Sequence, residues 1–242
     1  MDRNTLVGTD FLVMGAAISS LGFLLAQSVP IASFGFALLV IGALLLLVVP
    51  EPVPHDAFEA LLKDSIRNVE MILEESALKN KAYFIRTADG EVRAFVPVSK
   101  GEPFLGASDL KEIEAAPRRL IVDHDGVKGL LLVPPGNEVV RLAGIEAGTA
   151  LEDALRSVLV DRSDLAGGVL AVEEEGGRLA KVQISRPRLS SGSPYFRDSL
   201  GSPVSCVACC VAAAAKGTPV RLVEERFDPA FIRLTLRTLE AS

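Results

Sequence analysis

Two long apolar stretches open the chain, and shorter periodic segments follow them. Residues 11–29 and 31–49 each run for 19 positions without a charged side chain. A helix rises about 1.5 Å per residue, so each stretch is long enough to cross a hydrocarbon core of about 30 Å. Only Pro30 separates them. The pattern therefore predicts a transmembrane helical hairpin with both of its ends on one side of the bilayer.

Glycine recurs every seven residues in both stretches. Gly8, Gly15 and Gly22 follow this interval at the start of the chain, and Gly35 and Gly42 repeat it in the second stretch. Small residues let two membrane helices approach closely, where lipid provides no hydrophobic drive for association. We therefore predict that these glycines line the contact between the helices. The alternative is that glycine is simply frequent in membrane helices.

Basic residues predict the orientation of the hairpin. The turn between the spans has none, whereas Arg3 precedes the first span and Lys63 and Arg67 follow the second. The positive-inside rule then places both termini in the cytoplasm of a two-span, multi-pass protein of the cell membrane. A cleaved signal peptide is the alternative interpretation of the first stretch.

The hydropathy pattern changes after the second span. Alternating prolines in residues 50–56 predict an extended spacer between the hairpin, residues 1–49, and a soluble domain, residues 57–242. The domain opens with apolar residues at helical spacing from Ala57 to about Leu78. We expect this amphipathic helix to pack on its own domain, with coiled-coil pairing and bilayer binding as alternatives.

Four β-hairpins are predicted in the soluble domain, each by two β-rich runs around a turn signal. The turns fall at Asp89–Gly90, Asp125–Gly126, Gly176–Gly177 and Asp228–Pro229. Helices stand between them: a capping box of Thr149 and Glu152 predicts the start of one, and Ser202 and Gly217 predict the limits of another. Helix–β-hairpin units thus cover residues 57–98, 149–185 and 202–240. The sequence predicts an α+β fold in which repeated helix–β-hairpin units build an antiparallel sheet covered by helices.

Composition excludes several classes of function. The net charge of −6 and the lack of a basic stripe argue against a nucleic-acid partner. The chain has three cysteines, an odd number, which excludes a secreted disulfide framework and fits a reducing compartment. Phosphate-binding, dinucleotide-binding and serine-hydrolase motifs do not occur. We therefore predict no catalytic residue, no metal site and no cofactor.

The three cysteines lie in one predicted helix, SPVSCVACCVAAAAKG, residues 202–217. At 100° per residue, Cys206, Cys209 and Cys210 share one small-sided arc of that helix. We expect this side to meet another backbone closely, since free cysteine behaves as a small buried hydrophobe. The alternative is a thiol site, in which the helix N-terminus lowers the pKa of Cys206 and Cys206 and Cys209 form a C-x-x-C pair.

Residues 184–203 form the longest stretch without periodicity, and loops of that length are often functional. Its serines, together with the amides at the start of the following helix, could cradle an anion. The alternative is a solvated loop. The candidate ligand-binding residues are Ser191, Ser193, Ser202, Cys206, Cys209 and Cys210.

Residues 68–99 (NVEMILEESALKNKAYFIRTADGEVRAFVPVS) and 200–225 (LGSPVSCVACCVAAAAKGTPVRLVEE) resemble uncharacterised archaeal membrane proteins. These have an N-terminal two-helix hairpin and a C-terminal cytoplasmic α+β domain, so the resemblance implies a location and a fold and no activity. The favoured hypothesis is a non-enzymatic docking or regulatory module whose partners are the lipid bilayer and either an unknown protein or a second copy. The alternatives are a small-ligand or thiol-based sensor that uses residues 184–210, and a thiol-dependent enzyme.

Overall fold

The chain divides into two units, Met1–Pro54 and His55–Ser242, in a computed structural model. The residues that the structure describes are 3–24, 27–47, 55–98, 105–115, 119–189, 193–228 and 230–239. The described part of the first unit forms two helices, and that of the second is α+β.

The first unit is a hairpin of α1 (Arg3–Leu24) and α2 (Val29–Leu47), whose contact is a seam of glycines. Among residues of these helices with described burial, the buried ones are Gly8, Gly15, Gly22, Gly35 and Gly42. A Cβ atom at Gly15 would lie 2.7 Å from the backbone nitrogen of Leu39, and one at Gly22 2.6 Å from that of Ala32. Real Cβ atoms do not approach backbone this closely, so the prediction that glycines line this contact is confirmed. We call these five residues the glycine seam.

The exterior of this hairpin is apolar. Val13, Phe23 and Val29 are between 72% and 76% exposed. By length and composition Val7–Leu24 is able to cross a membrane, and Val29–Leu44 is a shorter apolar helix. The same criterion selects a segment of the second unit that is 94% buried and therefore belongs to a protein core.

Eight antiparallel strands form one sheet in the second unit, in the order β3-β4-β2-β1-β7-β8-β6-β5. The strands are β1 (Tyr83–Arg86), β2 (Val92–Pro97), β3 (Ile121–His124), β4 (Val127–Leu132), β5 (Gly168–Glu174), β6 (Leu179–Ser185), β7 (Val220–Asp228) and β8 (Phe231–Thr238). The helices are α3 (His55–Glu75), α4 (Ala107–Ala115), α5 (Asn137–Ala143), α6 (Leu151–Arg156), α7 (Pro194–Leu200) and α8 (Pro203–Lys216). The predicted antiparallel α+β fold is confirmed.

All four predicted hairpins form, as β1–β2, β3–β4, β5–β6 and β7–β8. Within the described residues a helix precedes each of the four hairpins, including α4 before β3–β4. The three predicted units correspond to α3-β1-β2, α6-β5-β6 and α8-β7-β8. That these three units are copies of one structural repeat stays a prediction.

Helix α8 lies inside the fold, on what we call the inner face of the sheet. It contacts β1 and β7 on one side and α5 and α6 on the other. Every residue from Pro203 to Ala215 is buried, which explains a helix that is apolar all round. At its C-terminal end the Arg86 side chain donates a hydrogen bond of 2.7 Å to the carbonyl of Ala214. The predicted limits at Ser202 and Gly217 are confirmed as its two caps.

The opposite, outer face of the sheet is half covered. Helix α4 packs on β1, β2, β3 and β4, where Leu110 and Ile113 are buried against Tyr83, Ile85 and Phe95. On the half formed by β7, β8, β6 and β5, no helix or strand of the described chain covers this face. Leu170 and Val172 of β5 are 54% and 50% exposed as a result.

The structure corrects two local predictions. The capping box of Thr149 and Glu152 is wrong, because the N-cap position of α6 is occupied by Ala150, whose side chain cannot accept a hydrogen bond from the helix amides. The Glu152 carboxylate accepts a hydrogen bond of 3.2 Å from the Ala171 amide instead. The non-periodic segment 184–203 is also not a continuous loop, since α7 forms within it.

Candidate functional site at the start of the cysteine helix

The predicted site residues fall in different surroundings. Cys206, Cys209 and Cys210 are fully buried in α8, and Ser202 is 2% exposed at its N-cap. Ser193 occupies the N-cap position of a different helix, α7. The sixth residue, Ser191, lies outside the described residues.

The cysteine side of α8 faces the turn before α5. The thiol of Cys206 donates to the carbonyl of Pro135 across 3.5 Å, and Cys210 lies 4.0 Å from the same oxygen. The next residue of the turn, Gly136, has φ +104°, and a Cβ atom there would lie 2.7 Å from a methyl group of Val207. Cys206 and Cys210, on the small side of this helix, thus meet the backbone of another segment at Pro135, as expected.

Burial is the largest influence on the pKa of Cys206 and of Cys209. It raises the pKa of Cys206 well above its ordinary value, and the hydrogen bond with Cys210 acts in the same direction. It also raises the pKa of Cys209. A lowered pKa, as expected for a thiol site at a helix N-terminus, is thus wrong for Cys206. Since the thiolate is the reactive form, burial disfavours reaction of Cys206 and Cys209.

We expect all three cysteines to react with a maleimide only when the second unit unfolds. The reagent needs both access and a thiolate. The native fold buries all three thiols and raises the pKa of Cys206 and Cys209. The measurement is labelling of the full chain in mild detergent, followed by mass spectrometry, with and without urea. We expect labelling to be slower by about 100-fold or more without urea, because it then requires local unfolding.

An exposed cysteine introduced at Glu112 is the matched control, since that side chain is 72% exposed. It should react at the same rate under both conditions. Native labelling of Cys206 or Cys209 as fast as the introduced cysteine would contradict the buried arrangement and favour a thiol sensor.

The Ser202 amide and the Ser205 hydroxyl at the start of α8 already bind an anion, the side chain of Glu225. Its two carboxylate oxygens each accept a hydrogen bond of 3.1 Å from the Ser202 amide. The Ser205 hydroxyl donates to the same carboxylate across 2.6 Å, and the Ser202 hydroxyl accepts from the Ser205 amide. Glu225 reaches this position from β7 and is 5% exposed. A protein carboxylate therefore occupies the place that an anionic ligand would take.

The start of α7 is capped in the same way by Glu70 of α3. Its carboxylate accepts hydrogen bonds from the amides of Tyr195, at 3.1 Å, and Phe196. Glu70 is buried because α3 packs against α7 with the stripe that contains Leu73. The prediction that this helix packs on its own domain is confirmed for its described side chains. Sequence analysis missed this role because Glu70 is a charged residue among the polar positions of the helical pattern.

Two cations border the Glu225 carboxylate. Lys81 donates a hydrogen bond of 3.3 Å to the Arg197 carbonyl, and the Arg197 guanidinium lies 4.0 Å from Glu225. Burial lowers the pKa of Lys81, and the charges of Glu225 and Asp198 oppose that effect. The cluster therefore balances a buried carboxylate with two positive side chains.

The chemistry of this cluster is structural. Its two hydroxyls, on Ser202 and Ser205, are buried and already bonded to the protein, so neither is presented to a substrate. Within the described residues, no group of three histidine, cysteine, aspartate or glutamate side chains could hold a metal ion. Ligand binding by the six candidate residues stays a prediction.

Comparison of this chain with protein-family models, with curated proteins and with solved structures gives no match. The resemblance to archaeal membrane proteins therefore stays a prediction.

Proposed function

We propose that this chain is a membrane-anchored protein whose second unit is a docking or regulatory module. The observation that carries the proposal is the form of the first unit. Its apolar side chains point outward, while glycines fill the contact between its helices. A helical hairpin in water would bury its apolar side chains against one another. A lipid environment instead favours apolar side chains that face outward and small residues between the helices.

The proposed anchor has two spans, with both ends in the cytoplasm. The basic residues Arg3, Lys63 and Arg67 flank the hairpin, and its turn has none. Three free thiols in the second unit suit a reducing compartment. The second unit would then stand at the cytoplasmic surface of the cell membrane.

A docking role fits the second unit better than ligand sensing. The helix starts that could bind an anion hold Glu70 and Glu225, and the cysteines are buried. The second unit instead exposes apolar side chains on one face of its sheet, at Leu170 and Val172. Surfaces of this kind are typical of contacts with other proteins.

The test of the anchor is extraction of membranes with alkaline carbonate, which releases peripheral proteins and leaves spanning proteins in the pellet. We expect the full chain to stay in the pellet. Orientation is measured with a membrane-impermeant maleimide on intact cells, using single cysteines introduced at Ser28, in the turn, and at Glu112. Ser28→Cys should be labelled in intact cells, and Glu112→Cys only after the cells are opened.

Each result separates one part of the proposal. Release by carbonate would contradict the membrane anchor. Labelling of Glu112→Cys in intact cells would indicate the opposite orientation and would not contradict the membrane anchor. The unmodified chain is the negative control, because its three native cysteines are buried and should not be labelled.

A further inference from the structure

We infer that the uncovered half of the outer face of the sheet binds an acidic amphipathic helix of a partner protein. This inference rests on the proposed docking function and names the class of partner. The surface, which we call the open face, is the outer side of β7, β8, β6 and β5. No helix or strand of the described chain covers it.

The open face is a regular surface of cross-strand rows. One row consists of Val172, Lys181, Thr235 and Glu224, and the next of Leu170, Gln183, Arg233 and Arg226. A groove of about 400 Å³ follows these two rows. Each row has an apolar residue at the β5 end and charged residues toward β7. The surface therefore offers both apolar area and charge to a partner.

The charge of the open face is opposite to that of the whole chain. Its basic side chains are Lys181, Arg221, Arg226, Arg233 and Arg237, and its acidic side chains are Glu174, Glu224 and Asp228. Lys181 pairs with Glu174 and Arg226 with Glu224. Within the described chain, neither Arg233 nor Arg237 forms an ion pair, so the face is positive while the chain has a net charge of −6. Charge complementarity therefore favours an acidic partner.

The covered half of the same face shows how a helix binds to this sheet. Helix α4 inserts Leu110 and Ile113, three residues apart, and leaves acidic residues outside. One of these, Glu112, has its carboxylate 3.7 Å from the His124 ring nitrogen, at the edge of the sheet. Apolar residues at this spacing in a short acidic helix form the helix-in-groove mode of recognition. We therefore expect a partner helix to lie on the open face as α4 lies on the covered half.

Three other modes of association fit this half of the sheet less well. A second copy would bring Arg233 and Arg237 against the same positive side chains. Strand addition at the edge is also hindered, because the Ala171 amide of β5 already donates to Glu152. A bilayer surface would meet Glu174 and Glu224, and membrane-binding faces carry a stronger excess of basic residues.

The test uses the full chain in nanodiscs of neutral lipid and two fluorescent helical peptides of 18 residues. Both peptides carry leucine and isoleucine at the spacing found in α4, and their remaining positions are mainly glutamate in one and lysine in the other. Fluorescence anisotropy measures binding. We expect the acidic peptide to bind at least about 10-fold more tightly than the basic one. The double variant Arg233→Glu, Arg237→Glu should lose about 10-fold or more of that affinity.

The single variants Arg233→Glu and Arg67→Glu form a matched pair, because each reverses one exposed arginine and Arg67 lies on α3. Only the first should weaken binding, and circular dichroism of both variants should match the parent chain. Equal binding of the two peptides, or no binding of either, would overturn the inference. An equal loss in Arg67→Glu would also overturn it, while a docking function at another surface would stand.

Two further outcomes would assign the open face to another occupant and overturn the inference. The first is loss of acidic-peptide binding when anionic lipid replaces neutral lipid in the nanodisc, which would indicate a bilayer contact. The second is self-association of the full chain that disappears in Arg233→Glu, which would indicate a second copy. Failure of the carbonate test would instead remove the proposed membrane anchor and leave the peptide result unaffected.

Discussion

Glu225→Ala is expected to lower the free energy of unfolding of the second unit by about 3 kcal/mol. The substitution leaves the buried Ser202 amide without its acceptor and removes the carboxylate to which the buried Ser205 hydroxyl donates. A buried donor without a partner costs about 1–3 kcal/mol, and the loss of a negative charge at a helix start adds to this. The measurement is urea unfolding of the full chain in detergent, followed by circular dichroism.

Glu224→Ala provides the matched control. Glu224 directly precedes Glu225 in β7, but its side chain is 49% exposed and pairs with Arg226 at the surface. A surface pair of this kind contributes at most about 1 kcal/mol. Glu225→Gln should fall between the two variants, because an amide oxygen still accepts a hydrogen bond but carries no charge. An equal effect of Glu224→Ala and Glu225→Ala would contradict the capping role of Glu225.

The elements that could be predicted from the sequence are those specified by neighbouring residues. The turn at Asp89–Gly90 joins β1 to β2 because glycine accepts the positive φ that this turn requires, here +84°. Ser202 and Gly217 limit α8 through hydrogen bonds within four residues of each cap. In both cases the determining contacts are local, so the local pattern was sufficient.

The arrangement around the start of α8 depends on contacts between distant segments. Glu70 and Phe196 are 126 positions apart, and Glu225 and Ser202 are 23 apart. Helix α7 has seven residues, fewer than two full turns, so its sequence is too short to show a clear helical periodicity of apolar residues. Its first amides are satisfied by a carboxylate from α3, which no pattern within residues 184–203 could reveal.

The glutamate at position 152 illustrates a competition that the sequence could not decide. Its spacing from Thr149 fits a capping box, yet its carboxylate binds an amide of the edge strand β5. An unpaired edge amide is a strong donor, and satisfying it also protects the edge from association with other strands. The tertiary contact therefore replaced the local one.

The order of the strands in the sheet also could not be predicted from the sequence pattern. Each hairpin places apolar residues on the inner face, so the hairpins are interchangeable by pattern alone. In the structure β1 pairs with β7 and joins the two halves of the sheet. This pairing leaves α4 over one half and the open face on the other, and the open face could be recognised only once the order was known.

Gly35→Leu is expected to separate α1 from α2, and it is the largest effect that we predict in the first unit. A Cβ atom at Gly35 would lie 2.7 Å from the Cα atom of Ser19 and 2.9 Å from the carbonyl oxygen of Gly15. Both neighbours are backbone atoms of the opposite helix, so a change of rotamer cannot relieve the overlap. Overpacking of a well-packed contact costs about 1–3 kcal/mol, and a clash with rigid backbone belongs at the upper end of that range.

The measurement is the distance between spin labels on cysteines introduced at Val7 and Leu44, in the full chain in nanodiscs. Both positions are exposed, and the native cysteines should stay unlabelled because they are buried. We expect one narrow distance in the parent chain and a longer, broader distribution in Gly35→Leu. Ala37→Leu is the control, since Ala37 lies two residues further along α2 and is exposed. If both variants broaden the distribution equally, or neither does, the glycine seam is not what holds the two helices together.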